Sequence, residues 1–295
     1  MECVIETKNL VKNFGYKAAV KNVSMKVARG DIYGLIGKNG AGKTTLMKLL
    51  LGLTFPTSGS LRLFGSDDVN LVRAGIGSLV EIPGLYTGET AYENLKRFAI
   101  LTGSTEEEIR YILKLIGLEN TGAKKVGAFS LGMKQRLGIG IALLGNPEML
   151  VLDEPINGLD PAGIKDVRDL ILELNSKGVT VLISSHLLDE LGKIATKYGI
   201  MRDGELVVEL TPDEIAQKCR MPLELGISDS TFAKDVVCEL YPDADVEENN
   251  GKLFVYKDDI NPAELNRALV ERGFEVSELK HERLALEDFF IKMMG

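Results

Sequence analysis

Three nearly continuous apolar runs stand out along the chain: Asp31 to Ile36, Met149 to Leu152 and Val179 to Ile183. Runs of this length without polar alternation predict strands buried on both faces, and so a parallel sheet covered by helices. Around Val4 to Lys8 and Val23 to Val27 apolar and polar residues alternate instead. Leu61 to Gly65 reads as a further short strand, so the chain opens as antiparallel β. Leu46 to Leu51 and Ile164 to Asn175 carry helical spacing. From about Tyr86 to Leu144 the helical period dominates and predicts an inserted helical subdomain. Thr90 and Glu93 form a capping box at one helix start. Ser104 to Glu108 opens another helix with an acidic first turn, and Ile109, Ile112, Leu113 and Ile116 form its apolar stripe.

Beyond Pro222 the pattern restarts. Strand Leu223 to Ile227, helix Thr231 to Leu240, strands Ala244 to Glu247 and Leu253 to Tyr256, helix Pro262 to Arg272 and strand Phe274 to Leu279 give the order βαββαβ. That order predicts a small α+β, ferredoxin-like module, followed by a last helix from Leu284 to Met294. The chain is thus expected to divide into an α/β domain over 1–218 and an accessory module over 221–295. With 295 residues, one large core plus an appendage is the natural partition. Charge divides at the same place: residues 221–295 hold 8 Lys and Arg against 17 Asp and Glu, and the remainder 27 against 26. A nearly neutral body and an acidic end lack the basic face that nucleic-acid binding needs. Cys3, Cys219 and Cys238 are odd in number and form no C-x-x-C pair, as expected of reduced thiols. The N-terminus has no basic start followed by an apolar block. No stretch reaches the roughly 18 to 20 apolar residues of a spanning helix, so work at a membrane would need a span from another polypeptide.

The candidate chemistry begins where the strand Asp31 to Ile36 ends. Gly37-Lys38-Asn39-Gly40-Ala41-Gly42-Lys43-Thr44-Thr45 has G-x-x-x-x-G-K-T spacing. Glycines let the backbone curl so that its N–H groups converge on phosphate oxygens, and the following helix adds its positive dipole end. Lys43 would reach the β- and γ-phosphates, Thr44 would ligate Mg²⁺, and Thr45 can bond a neighbouring phosphate. The run ending at Leu152 delivers Asp153 to the sheet edge, where its carboxylate can hold Mg²⁺ through the metal's water shell. Glu154 follows and can polarise a water in line with the γ-phosphate. Ser130, with the Gly132 backbone, marks a helix N-terminus able to bind phosphate. His186 follows a central strand and can contact the γ-phosphate. Phe14 or Tyr16 can stack on an adenine ring, or simply pack a surface loop.

In this order the motifs resemble those of the ATP-binding subunit of an ABC transporter over roughly the first 215 residues. The resemblance implies a P-loop NTPase fold of the ABC ATPase type, binding ATP and Mg²⁺. It makes Phe14 the adenine-stacking residue, with Tyr16 a near alternative, Asp153 the Walker B carboxylate, Glu154 the catalytic base and His186 the switch histidine. Phe129 to Met133 resemble the family signature, and Gly158-Leu159-Asp160 its D-loop. Two copies would pair head to tail so that Ser130 and Gly132 of one close over ATP in the other, with Asp160 communicating across the seam. A separate transmembrane permease and a cytoplasmic place on the inner membrane face are implied as well. Glu81 stands where the family usually has glutamine, and a carboxylate there can ligate Mg²⁺ directly or through water. Glu81 together with Ser-Leu-Gly-Met-Lys-Gln-Arg resembles the ATPases that export bacitracin and lantibiotic peptides.

Overall fold

The computed structural model describes residues 2–81, 83–218, 222–257, 260–281, 289, 290 and 293. It forms two compact units, Met1–Pro212 with Phe290–Gly295, and Asp213–Phe289. The division falls six residues before the 218 boundary read from the sequence, and Phe290 groups with the first unit.

The first unit opens with β1 (Cys3–Phe14), β2 (Lys17–Val23) and β3 (Lys26–Ala28), and after β4 (Ile32–Ile36) and α1 (Lys43–Leu50) adds β5 (Ser58–Leu63). β1 pairs antiparallel with β2, β3 and β5. The alternation places Val4, Leu10, Val20 and Val27 in one core with Leu46, Met47 and Leu50 of α1. This antiparallel layer therefore braces the helix that follows the phosphate loop.

α2 (Val69–Val72) leads to β6 (Ile76–Leu79), and the helical subdomain contains α3 (Ala91–Thr102), α4 (Glu106–Leu115) and α5 (Leu131–Ala142). Thr90 and Glu93 make the expected capping box, and Thr105 with Glu108 makes a second. Ile109, Ile112, Leu113 and Ile116 are buried, as the stripe requires. The chain continues through β7 (Met149–Asp153), α6 (Pro161–Ser176), β8 (Thr180–Ser185), α7 (Leu188–Leu191), β9 (Lys197–Arg202) and β10 (Glu205–Leu210). The core sheet has the order β10-β9-β4-β8-β7-β6, parallel except for the β10 edge. Every residue of β4, β7 and β8 is buried. Because these strands run in one direction, the phosphate loop, the Asp153–Glu154 pair and His186 all leave the sheet at the same edge.

α8 (Pro212–Lys218) starts at the boundary, and the second unit also contains β11 (Leu223–Ile227), α9 (Ser230–Leu240), β12 (Asp245–Asn249), β13 (Lys252–Tyr256), α10 (Pro262–Glu271) and β14 (Val276–His281). Its sheet is antiparallel in the order β12-β13-β11-β14, over a core that includes Leu225, Val237, Leu253 and Leu265. Lys252 bonds Glu224 and Glu278 at 2.6 Å each, and these bonds raise its pKa. Most of the expected last helix lies outside the described residues. Phe289, Phe290 and Met293 are helical, and Phe290 is buried 5.6 Å from the Tyr198 ring. Cys3 and Cys238 are free thiols, while Cys219 lies outside the described residues. Among the described residues no helix is long and apolar enough to cross a membrane.

Candidate functional site

The loop after β4 closes tightly against its neighbours, which explains two of its glycines. Gly42 has a φ of +104°, and a Cβ there would lie 2.5 Å from the Ala19 carbonyl oxygen. A Cβ at Gly37 would lie 2.5 Å from the Met201 carbonyl oxygen. Any side chain would push β2 or β9 away from the loop. Lys43 begins α1 and is buried, its Nζ donating to the Gly37 carbonyl oxygen at 2.6 Å. The ammonium thus curls back over its own loop, with the unpaired N–H groups of the helix start beside it. A cavity of about 530 Å³ opens here, lined by Asn39 to Thr45 and by Glu154.

The acidic residues meet this loop through hydroxyls. Thr44 donates to Asp153 Oδ2 at 2.7 Å, and Ser184 donates to Asp153 Oδ1 at 2.6 Å. The Ser184 oxygen accepts from the Glu154 N–H at 2.9 Å. Glu154 Oε2 lies 2.8 Å from His186 Nδ1, and Oε1 lies 3.5 Å from Lys43 Nζ. Among the described residues Oε1 is buried and has no hydrogen-bond partner. A buried acceptor left in this way calls for a water or a ligand proton. Thr44 and Asp153 present adjacent hard oxygens, a donor set that suits Mg²⁺.

The remaining expected residues lie elsewhere. Glu81, expected to ligate Mg²⁺ directly or through water, accepts from Lys48 at 2.6 Å. The turn after β6, with Glu81 at a φ of +63°, brings it to the second turn of α1. Among the described residues no three His, Cys, Asp or Glu side chains are grouped to hold a metal. Ser130 caps α5, accepting from the Met133 N–H at 3.3 Å, and Asp160 caps α6, accepting from the Gly163 N–H at 3.0 Å. Gly132 lies beside Leu159 and Gly163, so the Ser130 turn packs on the Asp160 turn of the same chain. Neither turn lines the cavity. Phe14 is exposed under Lys12, whose Nζ is 4.9 Å from the ring centre. Tyr16 is fully exposed, and neither aromatic lines the cavity.

Sequence reasoning missed Ser184 and the wall formed by Lys17, Lys21, Asp203 and Gly204. Ser184 had a signal, a polar residue closing an apolar strand. Lys17 and Lys21 had little, because lysines on an outer strand usually face solvent. Their place becomes evident only through the bonds from Lys21 N to Gly204 O at 2.7 Å and from Gly204 N to Ala41 O at 3.0 Å.

Residues 20–157, which contain the loop and the acidic pair, match the family described as ABC transporter. The bacitracin transport ATP-binding protein BcrA of Enterococcus faecalis is 40% identical over 300 residues, covering 100% of this chain and 97% of that protein. The lantibiotic transport ATP-binding protein SrtF of Streptococcus pyogenes is 43% identical over 206 residues, covering 70% of this chain and 90% of that one. Among solved structures, a dimeric ATP-binding cassette in a post-hydrolysis state bound to ADP and Pi matches with a TM-score of 0.64 and 26% identity, covering 70% of this chain and 98% of that one. The kinship runs through the residues that build the cavity, and the chain therefore belongs to the ABC transporter family, as an ATP-binding subunit that hydrolyses ATP.

Proposed function

We propose that this subunit energises a separate membrane permease that exports a peptide antibiotic of the bacitracin or lantibiotic kind. One observation carries the choice of cargo class: the likeness to the bacitracin transport protein extends over the whole chain, including the second unit, at 40% identity. The solved cassette above covers 70% of the chain.

The chemistry follows from the cavity. The loop N–H groups and Lys43 take the phosphates, which frees Lys43 Nζ from the Gly37 carbonyl in exchange for a stronger, charge-assisted bond. Thr44 and Asp153 would hold Mg²⁺, which neutralises charge on the triphosphate when bound. Glu154 Oε1, buried without a donor, accepts a proton from the attacking water. His186, 2.8 Å from Glu154, bonds the γ-phosphate when ATP is bound. Phe14 or Tyr16, at the rim beside Lys17, covers the adenine.

Ser130, Gly132 and Asp160 act on the ATP of a second copy, since in their own chain they do not line the cavity. ATP then joins two subunits and hydrolysis parts them, a difference in affinity that can drive a permease on the inner face of the membrane. The second unit serves as an interaction module.

The test is to express the chain with its membrane partner in a bacitracin-sensitive host. Protection by wild type, lost with Glu154→Gln, is the expected result. Active ATPase that protects against neither bacitracin nor a lantibiotic would leave the family assignment standing and remove the cargo proposal.

A further inference from the structure

We propose that Ser184 is a positioning residue for hydrolysis, its single hydroxyl holding the Glu154 backbone and the Asp153 carboxylate together and so aiming the Glu154 side chain. The inference rests on the reading of Glu154 as the group that activates water.

Parallel pairing of β7 with β8 sets Asp153 opposite Ser184. Neighbours across a ladder project to the same face, so the two side chains meet. Ser184 is fully buried. A serine hydroxyl has one proton and two lone pairs. Here the proton goes to Asp153 Oδ1 at 2.6 Å and a lone pair takes the Glu154 N–H at 2.9 Å.

The peptide held in this way is strained. Glu154 has a φ of +50°, a left-handed conformation that a residue with a side chain adopts only where its surroundings enforce it. β7 ends at Asp153, so the Glu154 N–H bonds the Ser184 hydroxyl instead of a strand neighbour. That turn sends the carboxylate back across the cavity, with Oε2 at 2.8 Å from His186 Nδ1 and Oε1 at 3.5 Å from Lys43 Nζ. Removing the hydroxyl leaves the N–H unpaired and lets the turn relax. The carboxylate then swings away from the water it must face. A displacement near 1 Å costs on the order of 100-fold in rate. Nucleotide binding does not pass through Ser184: Lys43 and the loop hold the phosphates, and Thr44 still holds Asp153 Oδ2.

The experiment compares wild type, Ser184→Ala, Ser184→Cys and Ser184→Thr as full-length chains, measuring kcat, the KM for MgATP and binding of a fluorescent ATP analogue. Ser184→Ala and Ser184→Cys should lower kcat ~10 to 100-fold, as losing a group behind a reactive residue does. KM and analogue affinity should stay within about twofold. Ser184→Thr, which keeps the hydroxyl, should retain most of the turnover. Ser184→Cys is nearly isosteric and carries the test should the alanine variant fail to fold. Three results overturn the proposal: wild-type kcat in both the alanine and cysteine variants, a parallel loss of nucleotide affinity, or a threonine variant as slow as alanine. A wild-type chain that binds no ATP, or a Glu154→Gln chain with full turnover, would instead overturn the reading of the cavity itself.

Discussion

The strand-end cluster and the two helix caps of the first unit carry chemistry in opposite ways. Around the cavity, Lys43, Thr44, Asp153, Glu154 and His186 reach across from three different strand ends to contact one another. Ser130 and Asp160 are just as polar, yet each bonds its own helix start. The first set converges on one cavity. The second is a pair of capped helix ends packed side by side and turned outward, which is how a surface meant for another molecule is kept rigid beforehand. The contrast teaches that polar residues of one unit can bond either one another across a cavity or their own helix starts, and it fits the proposal that the second set serves another copy.

Several substitutions can break this contrast. The largest effect should come from Glu154→Gln, which lowers ATP turnover ~10² to 10⁴-fold while retaining bound nucleotide. Unchanged turnover in a phosphate-release assay would remove Glu154 from its role. Lys43→Ala should weaken ATP binding ~10 to 100-fold, the worth of a charge-assisted contact in a buried site, measured by calorimetry. Mixing inactive Ser130→Ala chains with inactive Glu154→Gln chains should restore roughly a quarter of wild-type turnover, since random pairing gives dimers with one complete site. No recovery on mixing would mean that the caps do not serve a partner. Ser130→Ala alone should cost about 1 kcal/mol of stability by denaturant melting, the usual loss of an N-cap.

The smallest effect isolates capping from function. At the start of α3, the Thr90 backbone and hydroxyl bonds hold the Glu93 carboxyl down to about 2, from an ordinary value of 4.5. A depressed pKa stabilises the fold above the unfolded value and loses that contribution as pH falls from about 4.5 toward 2. Glu93→Gln should therefore lower Tm at pH 6, match wild type near pH 2, and leave neutral-pH turnover unchanged. A turnover defect there would mean that any cap, not only those at the outward turns, affects the site.

Much of the catalytic edge was legible before any coordinates. Val179 to Ile183 and Met149 to Leu152 are apolar on both faces, which only a covered parallel strand tolerates, and parallel strands carry their C-terminal residues to one edge. The order βαββαβ of the second unit was legible for the same reason, since period and turn residues are local properties. The Lys48 partner of Glu81 was not legible, since the turn at φ +63° that brings the two together lies 33 positions along the chain from Lys48. The first-unit company of Phe290 was not legible either, because burial against Tyr198 depends on where a distant strand lies.

The amino-acid order alone determined which groups have the chemistry: a glycine-rich loop, an ammonium, two adjacent carboxylates and an imidazole, each placed by local periodicity at a strand or helix end. Tertiary structure decided which of them touch. Contacts such as Ser184 with Asp153 span 31 positions and arise from the parallel register of β7 and β8, a pairing between strands that neither strand encodes by itself.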